Sequence, residues 1–392
     1  MGKPIPDYPI DIFSRESVRN ARAVDDALRE FAPVVRLADG TVMIARHADV
    51  MAGLSDWQTF SSKSRPWHDP KSLRPEILLT DDPPRHTHVR QAMTRVLSSQ
   101  VLGDLRPRFE RDAAALFDHL VSRQGEVIDG VGDITQRFVY QAFPDALGLR
   151  LEGREHLYAF GNMVWATMGP ENELFREATV NVEAVVAWIE QCCNRENLAA
   201  GGIGQVMYAL ADEGVVSQAE ARLLLQTVLS AGADTTILTM ANAIYAFAKF
   251  PDQYQKLRAN PGLVRAAFDE SLRWDSPSRM AGRITTREVQ IEDYTVPAGQ
   301  RVGLMFAAAN RDPRAWENPD RYDIGRDLKK QVGWGYGVHA CVGRVLAQME
   351  AHVLLSELAR RVARLEIVAE PTPWMTTVGR GPTRLPIRLY GN

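Results

Sequence analysis

The stretch GWGYGVHACVGRVLA, residues 333–347, decides how the chain is read. Gly333, Gly335 and Gly337 alternate ahead of a lone cysteine, Cys341, and Gly343 follows it. Glycines at that spacing free the backbone for positive φ and let a flat ligand lie close against it. The residues after Gly343 have helical character, so the Cys341 sulfur falls just before a helix N-terminus. Unpaired N–H groups and the helix dipole favour a thiolate there. A thiolate so placed is a nucleophile or an iron ligand. A merely structural cysteine would not need three alternating glycines before it.

Upstream, one helix stands out. Ser217 with Glu220 three residues later forms a capping box, and helical residues continue to Phe250, where Pro251 is expected to stop them. That is roughly 30 residues, or about 45–50 Å at 1.5 Å per residue. Such a helix must cross the whole protein, and its apolar flanks make it a buried one. AGADTT, residues 231–236, sits in its middle. Gly232 weakens the helix and Asp234 puts a charge in a buried span; breaks of local rules like these mark functional sites.

Around these two segments the chain reads as mainly α with small β-sheets. Residues 34–60 read as short strands about an Asp39-Gly40 turn, and 284–306 as strands with turns at Asp293 and Ala298-Gly299. Residues 86–250 are helical in period, 344–365 form another helix, and LPIRLY at the end is a last strand. The expected arrangement is small sheets at both ends and one between the late helices.

The 392 residues are 45% hydrophobic and 24% charged, a globular composition with a sizeable core. Lys+Arg is 46 against 49 for Asp+Glu, so no basic footprint exists for nucleic acid. Three cysteines (Cys192, Cys193, Cys341) give neither a disulfide scaffold nor zinc spacing. No secretory h-region or 18-residue apolar run is seen, so the expectation is a cytoplasmic protein without a membrane partner. Residues 1–392 show no repeat and no dividing linker and are read as a single domain.

The Cys341 segment resembles the haem-binding loop of the cytochrome P450 monooxygenases, whose usual pattern is Phe-Gly-x-Gly-x-His-x-Cys-x-Gly. Gly335, Gly337, His339, Cys341 and Gly343 match, and Trp334 stands where Phe is usual. Its indole N–H adds a donor that could alter the iron's redox tuning. Glu270-Ser-Leu-Arg273 resembles the family's Glu-x-x-Arg. The pattern is unspecific by itself, since Glu16/Arg19, Glu173/Arg176 and Glu357/Arg360 also fit, but order along the chain selects 270/273. Arg321, in ENPDRYD, resembles the third member of the family's structural triad. In DDPPRHTHVR, residues 81–90, His86 and Arg90 lie i,i+4 on one helix face and resemble a haem-propionate pair, with Arg283 and His339 as further propionate ligands. AGADTT resembles the oxygen-activating segment, with Gly232 opening a groove and Asp234 and Thr235 as an acid–alcohol pair for proton delivery.

This resemblance implies a single large fold with the long helix over haem b (iron protoporphyrin IX), Cys341 ligating the iron, and insertion of one atom of O2 into a small substrate. With no flavin or iron–sulfur segment in the chain, electrons would come from a ferredoxin and an NAD(P)H-dependent ferredoxin reductase. They would dock on the Cys341 side, where Arg344 and the helix carrying Arg90 and Arg95 offer positive charge. ANRDPRAWENPDRYDI and FDESLRWDSP resemble the subgroup that oxidises para-substituted benzoic acids and methoxy-aromatics, which points to oxidative O-demethylation with release of formaldehyde. The pocket is expected to hold Trp165 and Met168, Thr227, Ser230, Ala231, Ala281 and Val378, and Arg74 lies in the loop that anchors a carboxylate in that subgroup. Competing readings are hydroxylation of another small hydrophobic molecule such as a terpenoid, a peroxide-using relative, and a non-catalytic haem sensor or carrier. The last two do not need the Asp234–Thr235 pair.

Overall fold

The central helix runs Gln218–Lys249 and begins as expected: the Ser217 hydroxyl accepts the Glu220 N–H at 3.2 Å, and the Glu220 carboxylate accepts the Ser217 N–H at 2.8 Å. Leu224, Leu225, Leu229, Ile237, Met240, Ile244 and Phe247 are all buried along it. It is long and apolar enough to cross a membrane by length and composition, yet most of it is buried inside the protein, as befits a core helix. Pro251 does more than stop it. The proline opens the next helix, Pro251–Ala259, at a position where its missing N–H costs nothing.

The computed structural model describes residues 3–63 and 77–392. Helices dominate. Arg344–Arg361 packs against Arg106–Ser122 and Val264–Trp274, and Val264–Trp274 packs in turn on the central helix. The small sheets are joined differently from the expectation. Val34–Arg36, Val42–Ile44, Arg301–Leu304, Ala281–Thr285 and Phe60–Ser61 form one five-stranded sheet in that spatial order. Val42–Ile44 runs parallel to Arg301–Leu304, with Met43 opposite Gly303.

Two element readings need correction. Residues 34–60 are not all strand, because His47–Ser55 is a helix. Its first N–H donates to the Asp312 carboxylate at 2.9 Å, a cap supplied from far along the chain and invisible locally. The helix expected over 344–365 ends at Arg361. Val362–Ile367 leaves it as a strand because it pairs with Pro386–Gly391, so tertiary pairing overrides local propensity.

Candidate active site

The Cys341 loop is fixed by its own backbone. Gly335 and Gly337 have φ of +69° and +66°, as the alternating glycines foretold. A Cβ on Gly337 would lie 2.5 Å from the Leu54 carbonyl oxygen, so only glycine fits this turn against the His47–Ser55 helix. The Cys341 N–H donates to the Trp334 carbonyl at 2.7 Å, and Arg344–Arg361 begins three residues on. Burial pushes the Cys341 thiol up. The Gly343 and Arg344 N–H groups and the charges of Arg90 and Arg344 oppose this by favouring the thiolate.

Cys341 lines two cavities that share Ala231, Thr235, Trp334 and His339. The larger, about 330 Å³, is also walled by Trp165, Met168, Ser230, Ala281 and Val378, with Gly335 and Arg283 nearer the cysteine loop. The smaller, about 140 Å³, adds His86, Arg90, Gly343 and Thr227. Six of the seven residues expected around the substrate thus meet in one space. Thr227 lines the smaller space instead, and its hydroxyl donates to Leu223 O at 2.8 Å on its own helix. Arg74 lies outside the described residues.

His86 is 2% exposed, and among the described residues neither ring nitrogen has a partner. Its ring centroid is 4.3 Å from that of His339, whose Nε2 lies 3.0 Å from the Ser62 hydroxyl. Burial, together with the charges of Arg283, His86 and Arg90, drives the His339 imidazole down to about 3. Arg283 is 8% exposed and, among the described residues, donates only to the Gly282 carbonyl, at 2.7 Å; burial lowers it to about 10. Neither Arg90 nor Arg283 has an ion-pair partner among the described residues. A buried Arg283 and a half-buried Arg90 without carboxylate partners among the described residues, at the rim of a space closed by a cysteine, are a deficit that a flat dianion with two carboxylates would fill. The donor set fits haem b.

Thr235 donates its hydroxyl to Ala231 O at 2.8 Å and lines both cavities. Its neighbour Asp234 faces away. Its carboxylate accepts the Tyr140 hydroxyl at 3.0 Å and lines a separate space of about 30 Å³ with Gln136, Tyr158 and Thr383. Burial raises Asp234 to about 7, partly offset by the Tyr140 hydrogen bond. The carboxylate fits there because Gly161 has no side chain; a Cβ would fall 1.8 Å from its Oδ2. Gly232 likewise packs on the Phe143 ring, where a Cβ would come within 2.5 Å, and the helix continues through it.

The structural triad is corrected at one arm. Glu270 and Arg273 are wholly buried and doubly bonded at 2.8 Å, and Arg273 also donates to the carbonyls of Asn310, Pro319 and Arg321. The second arginine on Glu270 is Arg326, at 3.3 Å, not Arg321. The Arg321 side chain is half exposed and reaches Asp252 at 2.7 Å. The Trp334 N–H donates to Asp269 at 2.9 Å. Of the surface cations expected at the docking face, Arg90 turns inward to the smaller cavity and Arg95 pairs with Glu213. Tyr140, Asp269 and Arg326 escaped the sequence reading; only Arg326 had a local signal, an arginine five residues after Arg321.

Comparison with known proteins agrees with this geometry. The family model described as Cytochrome P450 matches residues 203–362. Cytochrome p450 CYP199A2 of Rhodopseudomonas palustris is 39% identical over 99% of this chain and 95% of its own length. The 6-deoxyerythronolide B hydroxylase of Saccharopolyspora erythraea is 28% identical over 99% of each. The structure of cytochrome P450 CYP109Q5 from Chondromyces apiculatus superposes with a TM-score of 0.80 at 29% identity, covering 98% of both chains. The chain belongs to the cytochrome P450 family. It is a monooxygenase of the bacterial type, a haem-thiolate protein whose cofactor is haem b. Bacterial members act on small substrates and draw electrons from ferredoxin and reductase partners.

Proposed function

We propose that the protein oxidises a small methoxy-aromatic compound of guaiacol, alkylguaiacol or methoxybenzoate type by O-demethylation. One oxygen atom enters a methyl C–H bond, and the hemiacetal so formed collapses to a phenol and formaldehyde. The observation that carries this is the wall of the larger cavity. Trp165, Met168 and Val378 line it together with Ser230, Ala231 and Ala281. Aromatic and thioether surfaces suit a flat ring. The small pair Ala281-Gly282 leaves room for a para-alkyl chain.

Cys341 would hold the haem iron from the loop side, with His86, Arg90, Arg283 and His339 around the propionates and Trp334, Gly335 and Gly343 shaping the cradle. Bound there, haem b supplies the O2-activating iron and the oxidising power. Thr235 presents its hydroxyl to the same cavity and would pass a proton. Asp234, protonated up to about pH 7, would replenish it from the Tyr140 side. A ferredoxin and an NAD(P)H-dependent reductase would supply electrons to a single cytoplasmic domain spanning 1–392.

Among the described residues, Arg283 is the sole Lys or Arg lining the larger cavity, and it sits with His339. That favours neutral guaiacols; a benzoate would need Arg74. The test is a spin-state titration with guaiacol, 4-alkylguaiacols, 4-methoxybenzoate and a terpene, followed by formaldehyde measurement under turnover. High-spin shifts with the methoxy-aromatics and one formaldehyde per phenol are expected. A shift with the terpene alone, or hydroxylated product without formaldehyde, would overturn it. Benzoate binding that survives Arg74→Ala would remove Arg74 from the site.

A further inference from the structure

Trp334 brings an N–H to a place where the family's usual phenylalanine has none, and a partly buried indole N–H needs an acceptor. The acceptor is Asp269, on the helix Val264–Trp274, one residue before Glu270. Asp269 is 7% exposed and takes two further donors, the Gln348 amide at 3.0 Å and the Arg344 guanidinium at 3.3 Å. A carboxylate in that position is tolerable only because all three converge on it. Arg344 also lies 5.5 Å from the centroid of the Trp334 ring, and Phe268 packs beside that ring at 5.9 Å. The indole is therefore held at its edge by Asp269 and bordered by Arg344 and Phe268. The same residue's carbonyl receives the Cys341 N–H.

From this arrangement we propose that Asp269 is a positioning residue for the thiolate: it orients Trp334 and shares Arg344 with Cys341, and so sets how strongly the sulfur donates. Arg344, which begins the Arg344–Arg361 helix and whose side chain is 43% exposed, bonds Asp269 while its charge also favours the Cys341 thiolate. While Asp269 holds part of that positive charge, less of its field falls on the sulfur. Without Asp269 the indole loses its anchor and Arg344 acts on the sulfur alone. Electron density is drawn from the ligand, and the ferrous state gains relative to the ferric. The proposal rests on Cys341 ligating haem, as proposed above.

The experiment compares Asp269→Asn in the native and the Trp334→Phe backgrounds, reading the ferric/ferrous reduction potential and the iron–sulfur stretching frequency by resonance Raman. Expected are a higher potential and a lower stretching frequency in the native background, both shifts at least halved in the Trp334→Phe background, and recovery toward wild type in Asp269→Glu. Unchanged values, or equal shifts in both backgrounds, overturn the proposal; equal shifts would make Asp269 a background charge. Should Asp269→Asn fail to take up haem, Gln348→Leu is measured instead. With one donor fewer, Asp269 holds Arg344 harder, so a lower potential and a higher stretching frequency are expected, and unchanged values or shifts the other way overturn the proposal. The Soret band of the reduced carbon-monoxide complex separates this from failure of the ligand assignment. It stays thiolate-type in all these variants if Cys341 is the ligand, and Cys341→Ser abolishes it.

Discussion

Asp234 is a carboxyl whose environment was half legible. A charge inside a buried helical span announces itself in the sequence. The direction it faces does not, because that depends on Tyr140 and Gly161 from other helices. Burial raises it to about 7 in the folded protein. The native state therefore holds the proton more tightly than the unfolded chain. Stability due to this group falls as pH rises from about 4 to about 7 and is level above. Asp234→Asn cannot ionise and keeps an acceptor for Tyr140. The variant's advantage over wild type should grow across that window to on the order of a few kcal/mol and then stop growing. Denaturant melts at pH 4 to 8 measure it; a difference independent of pH would mean that the carboxyl is not held protonated. Trp334 teaches the same limit, since its extra donor was visible but its target, Asp269, was not.

At the scale of elements, Glu270–Arg273 shows what singles out one ion pair among several with the same spacing. Glu357–Arg360 forms as well, but with Arg360 largely exposed, whereas Glu270 and Arg273 are sealed from solvent and tied to three carbonyls of the following loop. The sequence points to the right loop but to the wrong side chain in it. Arg321 serves through its carbonyl, and the path of the loop returns Arg326, not Arg321, to Glu270. Neighbouring residues do not encode that path. The consequence is an ordered pair of effects. Arg326→Ala removes a cation from a fully buried carboxylate and should cost about 1–3 kcal/mol, since Arg273 still compensates Glu270. Arg321→Ala breaks an exposed pair with Asp252 and should cost under about 1 kcal/mol. Urea unfolding of the two variants decides the ranking, and the reverse order would restore Arg321.

Across the whole molecule, the helices and the short strands were legible because hydrophobic period and turn residues are local. The sheet they build was not. Nothing near Val42 states that its partner is Val302. Asp25 is a second junction of this kind. It is 1% exposed and accepts from Arg279 at 2.6 and 2.9 Å and from Arg380 at 3.0 Å, residues 254 and 355 positions away. One carboxylate thus ties the N-terminal helices to the strand region and the C-terminal hairpin. Asp25→Asn would leave the buried Arg279 guanidinium without its counter-charge, while Arg380 keeps Asp275 at 2.7 Å, and should cost about 3–5 kcal/mol. An unchanged melting temperature would show that the junction contributes nothing net.

The seat of the Cys341 loop carries a consequence for biosynthesis. Gly337 leans on the Leu54 carbonyl. The helix bearing Leu54 follows directly on Val42–Ile44, a strand whose parallel neighbour is Arg301–Leu304. The early part of the chain therefore waits on the ribosome for a partner made much later. The ligand cysteine and the helix that follows it emerge later still. Prosthetic-group capture then has to follow synthesis past Cys341, and a chain halted before residue 300 exposes an unpaired strand edge with no pocket to offer.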